Sequence, residues 1–442
     1  MLVSMATITF ALSPLTNLIR KKLARLPTVQ EWARLRKYAG RLRNILSFTV
    51  PEPLQQVLSD PQFCPPTEPL LPRLEVLSLP YLPSSSVPLI PTLLSPRTTS
   101  INFIFSLTDP PDCSTAASVI AMLPTLCPNL HKIQLDGLPR DPMITLAVSE
   151  LAKQNTLQYF NADSPLTVEA CQTIYNNPEL RVLVQTIVDR PTALPTMVLP
   201  NLTNLYIECY SSHDWLQVFH EASLEKLDWL TISSKSSSIG NFLGAFEAVA
   251  LTTSIPATLS NFRFRTKCPW RPSYRSLLPF TQLKCIIIEA SCEFSCSSTI
   301  DDDTITDLAL AMPKLEHLQL GNRPCKTPAG VTVKGLAALA FHCPRLSNLL
   351  IHFQVATLDP LEIPSLPSAD QPTISHEGSA SFTLDPGFIC VPRESVFVVS
   401  ETLLKLFPHL SHIHYTYSED TRWEDVFEDF CMLRKFRALV LR

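Results

Sequence analysis

Along the 442 residues an apolar phrase recurs: one apolar residue, a second three positions later, and a third two after that. It reads Leu74-Leu77-Leu79, Leu130-Ile133-Leu135, Leu202-Leu205-Ile207, Leu227-Leu230-Ile232 and Leu259-Phe262-Phe264. It continues as Leu283-Ile286-Ile288, Leu315-Leu318-Leu320, Leu346-Leu349-Ile351 and Leu410-Ile413-Tyr415. Weaker copies stand at Ile101-Phe103, Leu157-Phe160 and Leu180-Leu183, and a Pro often precedes the phrase by two. Starting points lie 22 to 32 residues apart through most of the chain. The last two apolar positions differ by two, so on a strand they share one face. A strand this short buries too little alone, and stacked copies form a parallel sheet over a continuous core. Parallel strands need a crossover. Ser114–Leu126, Met143–Gln154, Thr167–Tyr175, Asp214–Glu221, Asn241–Ala250, Asp303–Ala311 and Thr332–Phe341 supply it, with apolar residues at helical spacing. Asp303 is the expected N-cap of its helix, with Thr304 and Asp307 at capping-box spacing.

The phrase is that of leucine-rich repeats, L-x-x-L-x-L. The fold it predicts is an α/β leucine-rich-repeat solenoid of about twelve irregular repeats, a curved parallel sheet with helices outside. Residues 1–45 read as a basic helical N-terminal cap and 46–356 as the solenoid. The phrase then lapses for 64 residues between Leu346 and Leu410. Within that gap 357–395 holds six prolines and many Ser and Asp, and reads as a loop or disordered insertion. Residues 396–442 read as the last repeat and a C-terminal cap. Its end, from Asp420, is expected as a helix and a final strand, with Trp423, Val426 and Phe427 over the last open edge.

Composition narrows the function. Lys and Arg total 36 against 40 Asp and Glu, a net −4, which argues against a surface wholly built for nucleic acid. Nine glycines, with no G-x-G-x-x-G and no G-x-x-x-x-G-K-S/T, exclude the two commonest nucleotide-binding designs. Thirteen dispersed cysteines without a C-x-x-C suggest a reducing compartment, the cytoplasm, the nucleus or both. Cys292 and Cys296 are read as idle thiols rather than a zinc site. No apolar run reaches the ~20 residues of a membrane span. Residues 1–43 carry nine basic residues and Glu31, a net +8 that leaves the remainder at −12. Charges that begin only at Arg20 are in the wrong order for a secretory signal. Arg34, Arg36, Lys37, Arg41 and Arg43 alternate with Trp32, Leu35, Tyr38 and Leu42, the pattern of an amphipathic capping helix.

No catalytic constellation emerges: G-x-S-x-G, H-E-x-x-H and EF-hand loops are all missing from the sequence. No enzyme activity, cofactor or metal is expected. Two histidines of the His409, His412 and His414 group would share one strand face, but a third ligand is not evident. Asp301, Asp302 and Asp303 read as helix capping. The informative residues in a solenoid stand between the apolar anchors, on the concave face. They are Lys132 and Gln134, Asn204 and Tyr206, Trp229 and Thr231, Asn261 and Arg263, His317 and Gln319, and His412 and His414. Tyr206, Trp229 and Arg263 are of the types that dominate protein-binding hot spots, so a protein target is expected there.

The stretch Thr332-Val333-Lys334-Gly335-Leu336-Ala337-Ala338-Leu339-Ala340-Phe341-His342-Cys343-Pro344-Arg345-Leu346 resembles repeats of fungal F-box leucine-rich-repeat proteins, and Cys127-Pro128-Asn129-Leu130 is a second copy of their C-P-x-L joint. Trp32 to Ile45, with Lys37-Tyr38-Ala39-Gly40-Arg41-Leu42-Arg43, is similar to the segment after the F-box in basidiomycete members. The resemblance covers about residues 31 to 442. It implies the substrate-binding subunit of an SCF-type (cullin-RING) ubiquitin ligase, in which the repeats hold a target and other subunits catalyse. Only four residues separate Pro27 of Leu26-Pro27 from Trp32, which leaves no room for the F-box module itself. A Skp-type adaptor and cullin are therefore expected as partners if an F-box lies upstream. The alternative is a leucine-rich-repeat scaffold, or a degenerate F-box paralogue, that binds a partner without recruiting a ligase.

Overall fold

A computed structural model describes residues 29–46, 69–187, 195–209, 222–234, 259–266, 274–290, 300–320, 330–351, 353–354, 382–385, 391–413 and 422–440. The helices expected at Asp214–Glu221 and Asn241–Ala250, together with Cys292, Cys296 and His414, lie outside the described residues. The chain divides into two compact units, one ending at Leu202 and one from Thr203 onward.

In the first unit the strands are β1 (Asn44–Ile45), β2 (Val76–Leu82), β3 (Ser100–Phe105), β4 (Lys132–Asp136), β5 (Tyr159–Pro165) and β6 (Val182–Ile187). In the second they are β7 (Asn204–Cys209), β8 (Trp229–Ser234), β9 (Asn261–Thr266), β10 (Cys285–Ala290), β11 (His317–Leu320), β12 (Asn348–Ile351), β13 (Phe382–Asp385) and β14 (Leu410–Ile413). Within each unit every neighbouring pair is parallel, and strand order in the sheet is order in the chain. With helices between several of the successive strands among the described residues, this is the α/β architecture of a leucine-rich-repeat solenoid.

The anchors behave as the phrase requires. Ile101, Phe103 and Phe105 on β3 are buried while Ser100, Asn102 and Ile104 are half-buried, and Ile133 and Leu135 on β4 repeat the alternation. Each buried Leu, Ile or Phe contributes roughly 1.5–3 kcal/mol, so the stacked anchors dominate the stability of the sheet.

Helices α1 (Val29–Ala39), α2 (Cys113–Leu126), α3 (Pro142–Ala152), α4 (Val168–Ile174), α5 (Asp302–Ala311), α6 (Val333–His342), α7 (Val396–Leu406) and α8 (Trp423–Val440) share one stop signal where a Pro follows. Cys127, Met312, Cys343 and Phe407 are the C-caps of α2, α5, α6 and α7, with φ between −115° and −130° and ψ between 64° and 70°. A residue before Pro is pushed out of helical backbone by the ring, which ends the helix there. Three residues on, Leu130, Leu315, Leu346 and Leu410 each donate N–H back to the cap carbonyl. That turn delivers the first anchor of the next strand. The joint C-P-x-L is thus a helix terminator and a strand starter in one.

Three local features differ from the sequence expectation. The N-cap of α5 is Asp301, whose carboxylate accepts Thr304 N–H at 2.9 Å, and not Asp303. Strand β13 forms within the 357–395 stretch, paired to β12 and β14. The expected final strand does not form: α8 runs unbroken to Val440, and its Trp423, Val426 and Phe430 are fully buried, while Phe427 is only half-buried.

Candidate recognition face of the repeat sheet

On the first unit, Lys132 and Gln134 leave β4 on the side away from its buried anchors. The Lys132 ammonium lies 4.7 Å from the centre of the Tyr159 ring on β5, a cation–π contact. Gln134 donates to Asp136 at 2.6 Å, and Asn161 donates to the same carboxylate at 3.2 Å. Two residues further on β5, Asp163 turns back to the loop after β4, accepting Gly137 N–H at 2.6 Å and Leu138 N–H at 3.3 Å. Burial raises its carboxyl to about 6 against those two hydrogen bonds, which lower it.

On the second unit the strand register lays the remaining candidates out in rows. Asn204, Trp229, Asn261, Cys285, His317, Asn348, Thr383 and His412 are successive partners across β7 to β14. Two residues along, Tyr206, Thr231, Arg263, Ile287, Gln319 and Leu350 form a second row. A third holds Glu208, Ser233, Arg265 and Glu289. Asn204, Tyr206, Trp229, Arg263, His317 and Gln319 are half-buried, and His412 is exposed. Lys132 and Gln134 belong to the other unit and carry their own polar cluster.

Trp229 does not pack away from the face: its Nε1–H donates to Thr231 Oγ1 at 2.8 Å, which fixes the indole along its own strand. Arg263 donates from Nη2 to Glu289 Oε1, and Arg265 from Nε to Glu289 Oε2, both at 2.6 Å. Arg265 and Glu289 escape the six-residue phrase because they stand one position beyond its last anchor, Phe264 and Ile288. The alternation Asn261-Phe262-Arg263-Phe264-Arg265 is the signal that would have extended it. Burial, and then the Arg263 charge, push the His317 imidazole down. Burial holds the Cys285 thiol up at about 11, with Arg263 opposing.

Among the described residues no three His, Cys, Asp or Glu side chains come together as a metal site, and no described helix is long and apolar enough to cross a membrane. The rows can do what a protein-binding face needs. They offer aromatic area, hydrogen-bonding amides and a fixed cationic point on a rigid ladder.

No protein-family model matches the chain, and no curated protein matches it either. Among solved structures, a chain from the crystal structure of the Rad7 and Elc1 complex in yeast is similar over 95% of this chain and 93% of its own, at 12% identity and a TM-score of 0.31.

Proposed function

We propose that this chain is a non-enzymatic protein–protein recognition module that holds a protein target on the face of its repeat sheet opposite the apolar anchors. The observation that carries the reading is the two registered rows that start on β7, which place Tyr206, Trp229 and Arg263 on three adjoining strands and His317 and Gln319 two strands further on. Residues on neighbouring strands of one ladder are held about 4.8 Å apart, so such a face is ordered before any partner arrives and loses little entropy on binding.

In its finer form the role is that of the substrate-binding subunit of an SCF-type ubiquitin ligase, working in the cytoplasm or nucleus. This rests on the repeat phrases that resemble fungal F-box leucine-rich-repeat proteins. The mechanism is proximity: the repeats bind and other subunits catalyse. The second reading is an adaptor-independent scaffold, which binds a partner through the same face without recruiting a ligase.

Affinity purification from the source cells separates the two. The chain from Met1, a longer chain with the upstream coding sequence, and the triple variant Tyr206→Ala/Trp229→Ala/Gln319→Ala are compared. A partner lost with the triple variant, together with a Skp-type adaptor and cullin, gives the receptor. The same loss with no adaptor in any preparation gives the scaffold. An unchanged partner set for a folded triple variant overturns the recognition face.

A further inference from the structure

Glu289 stands between two guanidinium groups inside the second unit's face. Arg263 and Arg265 are two residues apart on β9, so both leave the same side of the sheet, and β10 sets Glu289 opposite Arg265. The carboxylate divides its oxygens, one for each arginine. The trio therefore carries one net positive charge.

An exposed ion pair holds its side chains loosely. Here Glu289 is 21% exposed and Arg263 28%, and two short bonds pin both guanidiniums. Each guanidinium has five N–H donors, of which one goes to Glu289. Arg263 Nε, a donor in every state, is buried and has no hydrogen-bond partner among the described residues. Arg265, 44% exposed and bonded to Glu289 through Nε, keeps both terminal nitrogens outside the pair. The cluster's demand for acceptors thus exceeds what the neighbouring strands supply. The acid of the same row, Glu208, lies two strands from Arg265, about 10 Å at sheet spacing. Trp229 on the adjoining strand, in register with Asn261, adds an aromatic surface diagonal to Arg263.

We propose that Arg263, Arg265 and Glu289 form an anion-recognition point, and that the target engages this face through an acidic peptide segment whose carboxylate docks on the Arg265 fork. Glu289 is the positioning residue: it orders the two guanidiniums in advance, and a planar fork takes a carboxylate through two parallel hydrogen bonds. The inference rests on the recognition reading above and names the chemistry of its ligand.

Fluorescence anisotropy with the full chain tests it, using a labelled peptide of alternating Glu and Leu, the same peptide with Gln for Glu, the phosphoserine version of the Gln peptide, and a single-stranded oligonucleotide. The Glu peptide should bind at least fivefold more tightly than the Gln peptide, and Arg265→Gln should erase that difference. Arg265→Lys, which keeps the charge and loses the fork, should retain only part of it, and thermal melts show whether each variant folds. Should Arg265→Gln fail to fold, the Arg265→Lys comparison decides. Equal binding of Glu and Gln peptides overturns the proposal, as does a Glu preference untouched by either variant. Binding of the phosphoserine peptide alone overturns the carboxylate assignment, and an oligonucleotide that outcompetes the Glu peptide overturns the peptide assignment. None of these outcomes alters the Tyr206/Trp229/Gln319 result, so the recognition reading fails or stands separately.

Discussion

Asp302 Oδ1 accepts the N–H of Gly335 at 3.0 Å across thirty-three residues of chain. The same carboxylate accepts Thr332 N–H at 2.7 Å and the Thr332 hydroxyl at 2.6 Å. Asp302 opens α5, but the N–H groups it satisfies are at the start of α6, in the next repeat. A carboxylate at a helix N-terminus satisfies orphan donors and complements the dipole. Here it also locks one repeat to its neighbour. Asp302→Ala should lower stability by about 2 kcal/mol, and Asp303→Ala, which removes an exposed side chain, by under ~0.5 kcal/mol. Urea unfolding of the two variants checks the difference.

Gly137 sits at φ +76°, and a Cβ there would come 2.6 Å from the Phe105 carbonyl oxygen. Backbone strain and a backbone clash act together, and neither is relieved by a side-chain rotation. Gly137→Ala should destabilise by roughly 1–3 kcal/mol. Thermal unfolding that leaves the melting temperature unchanged would refute this account of the turn after β4.

Asp163 gives the first unit a pH dependence of known sign. Its folded carboxyl is raised to about 6 from 3.8, chiefly by burial. A raised acid binds its proton more tightly when folded, so its contribution is fully present below pH 3.8 and is lost as pH rises through 6. The change is on the order of 3 kcal/mol at full shift. The stability of the native chain minus that of Asp163→Asn should therefore fall between pH 4 and pH 7. A flat difference across that range rejects the assignment.

Cys343 and Cys127 end two helices from inside the core. Burial raises their thiols to about 12 and about 11, and the Cys343 sulfur faces the Met312 carbonyl of the preceding repeat at 3.6 Å. Only the thiolate alkylates readily, so at pH 8 Cys343 should react roughly a thousandfold more slowly than a free thiol. Iodoacetamide followed by peptide mass spectrometry should modify both residues only after unfolding, and the half-buried Cys431 before either of them. Early labelling at Cys343 would contradict a closed repeat joint.

The strands that carry the full phrase were legible because their causes are local. Period-two anchors such as Ile133 and Leu135 set a strand's face, and the Pro after Cys127 or Cys343 marks the end of a helix. The two strands that stayed illegible carry only part of the phrase, as the weaker copies on β3, β5 and β6 do, but they stand outside the run of copies, β1 in the basic segment and β13 in the Pro-rich stretch. β1 follows Leu42-x-x-Ile45 with no third anchor, and β13 has Phe382-x-Leu384 with no leucine three positions ahead of Phe382. Leu439 and Val440 look strand-like in isolation, yet they extend α8.

By itself, then, the sequence determined the repeat, the strand faces, the helix stops and the residue types that would face a partner. Tertiary structure alone decided that Glu289 joins Arg263 to Arg265, that Asp302 serves the helix after its own, and that Asp163 is held under Gly137. Those pairings span 24 to 33 residues. Propensity and spacing act over a few residues, whereas which side chains meet at that distance depends on register, and register exists only once neighbouring strands have paired.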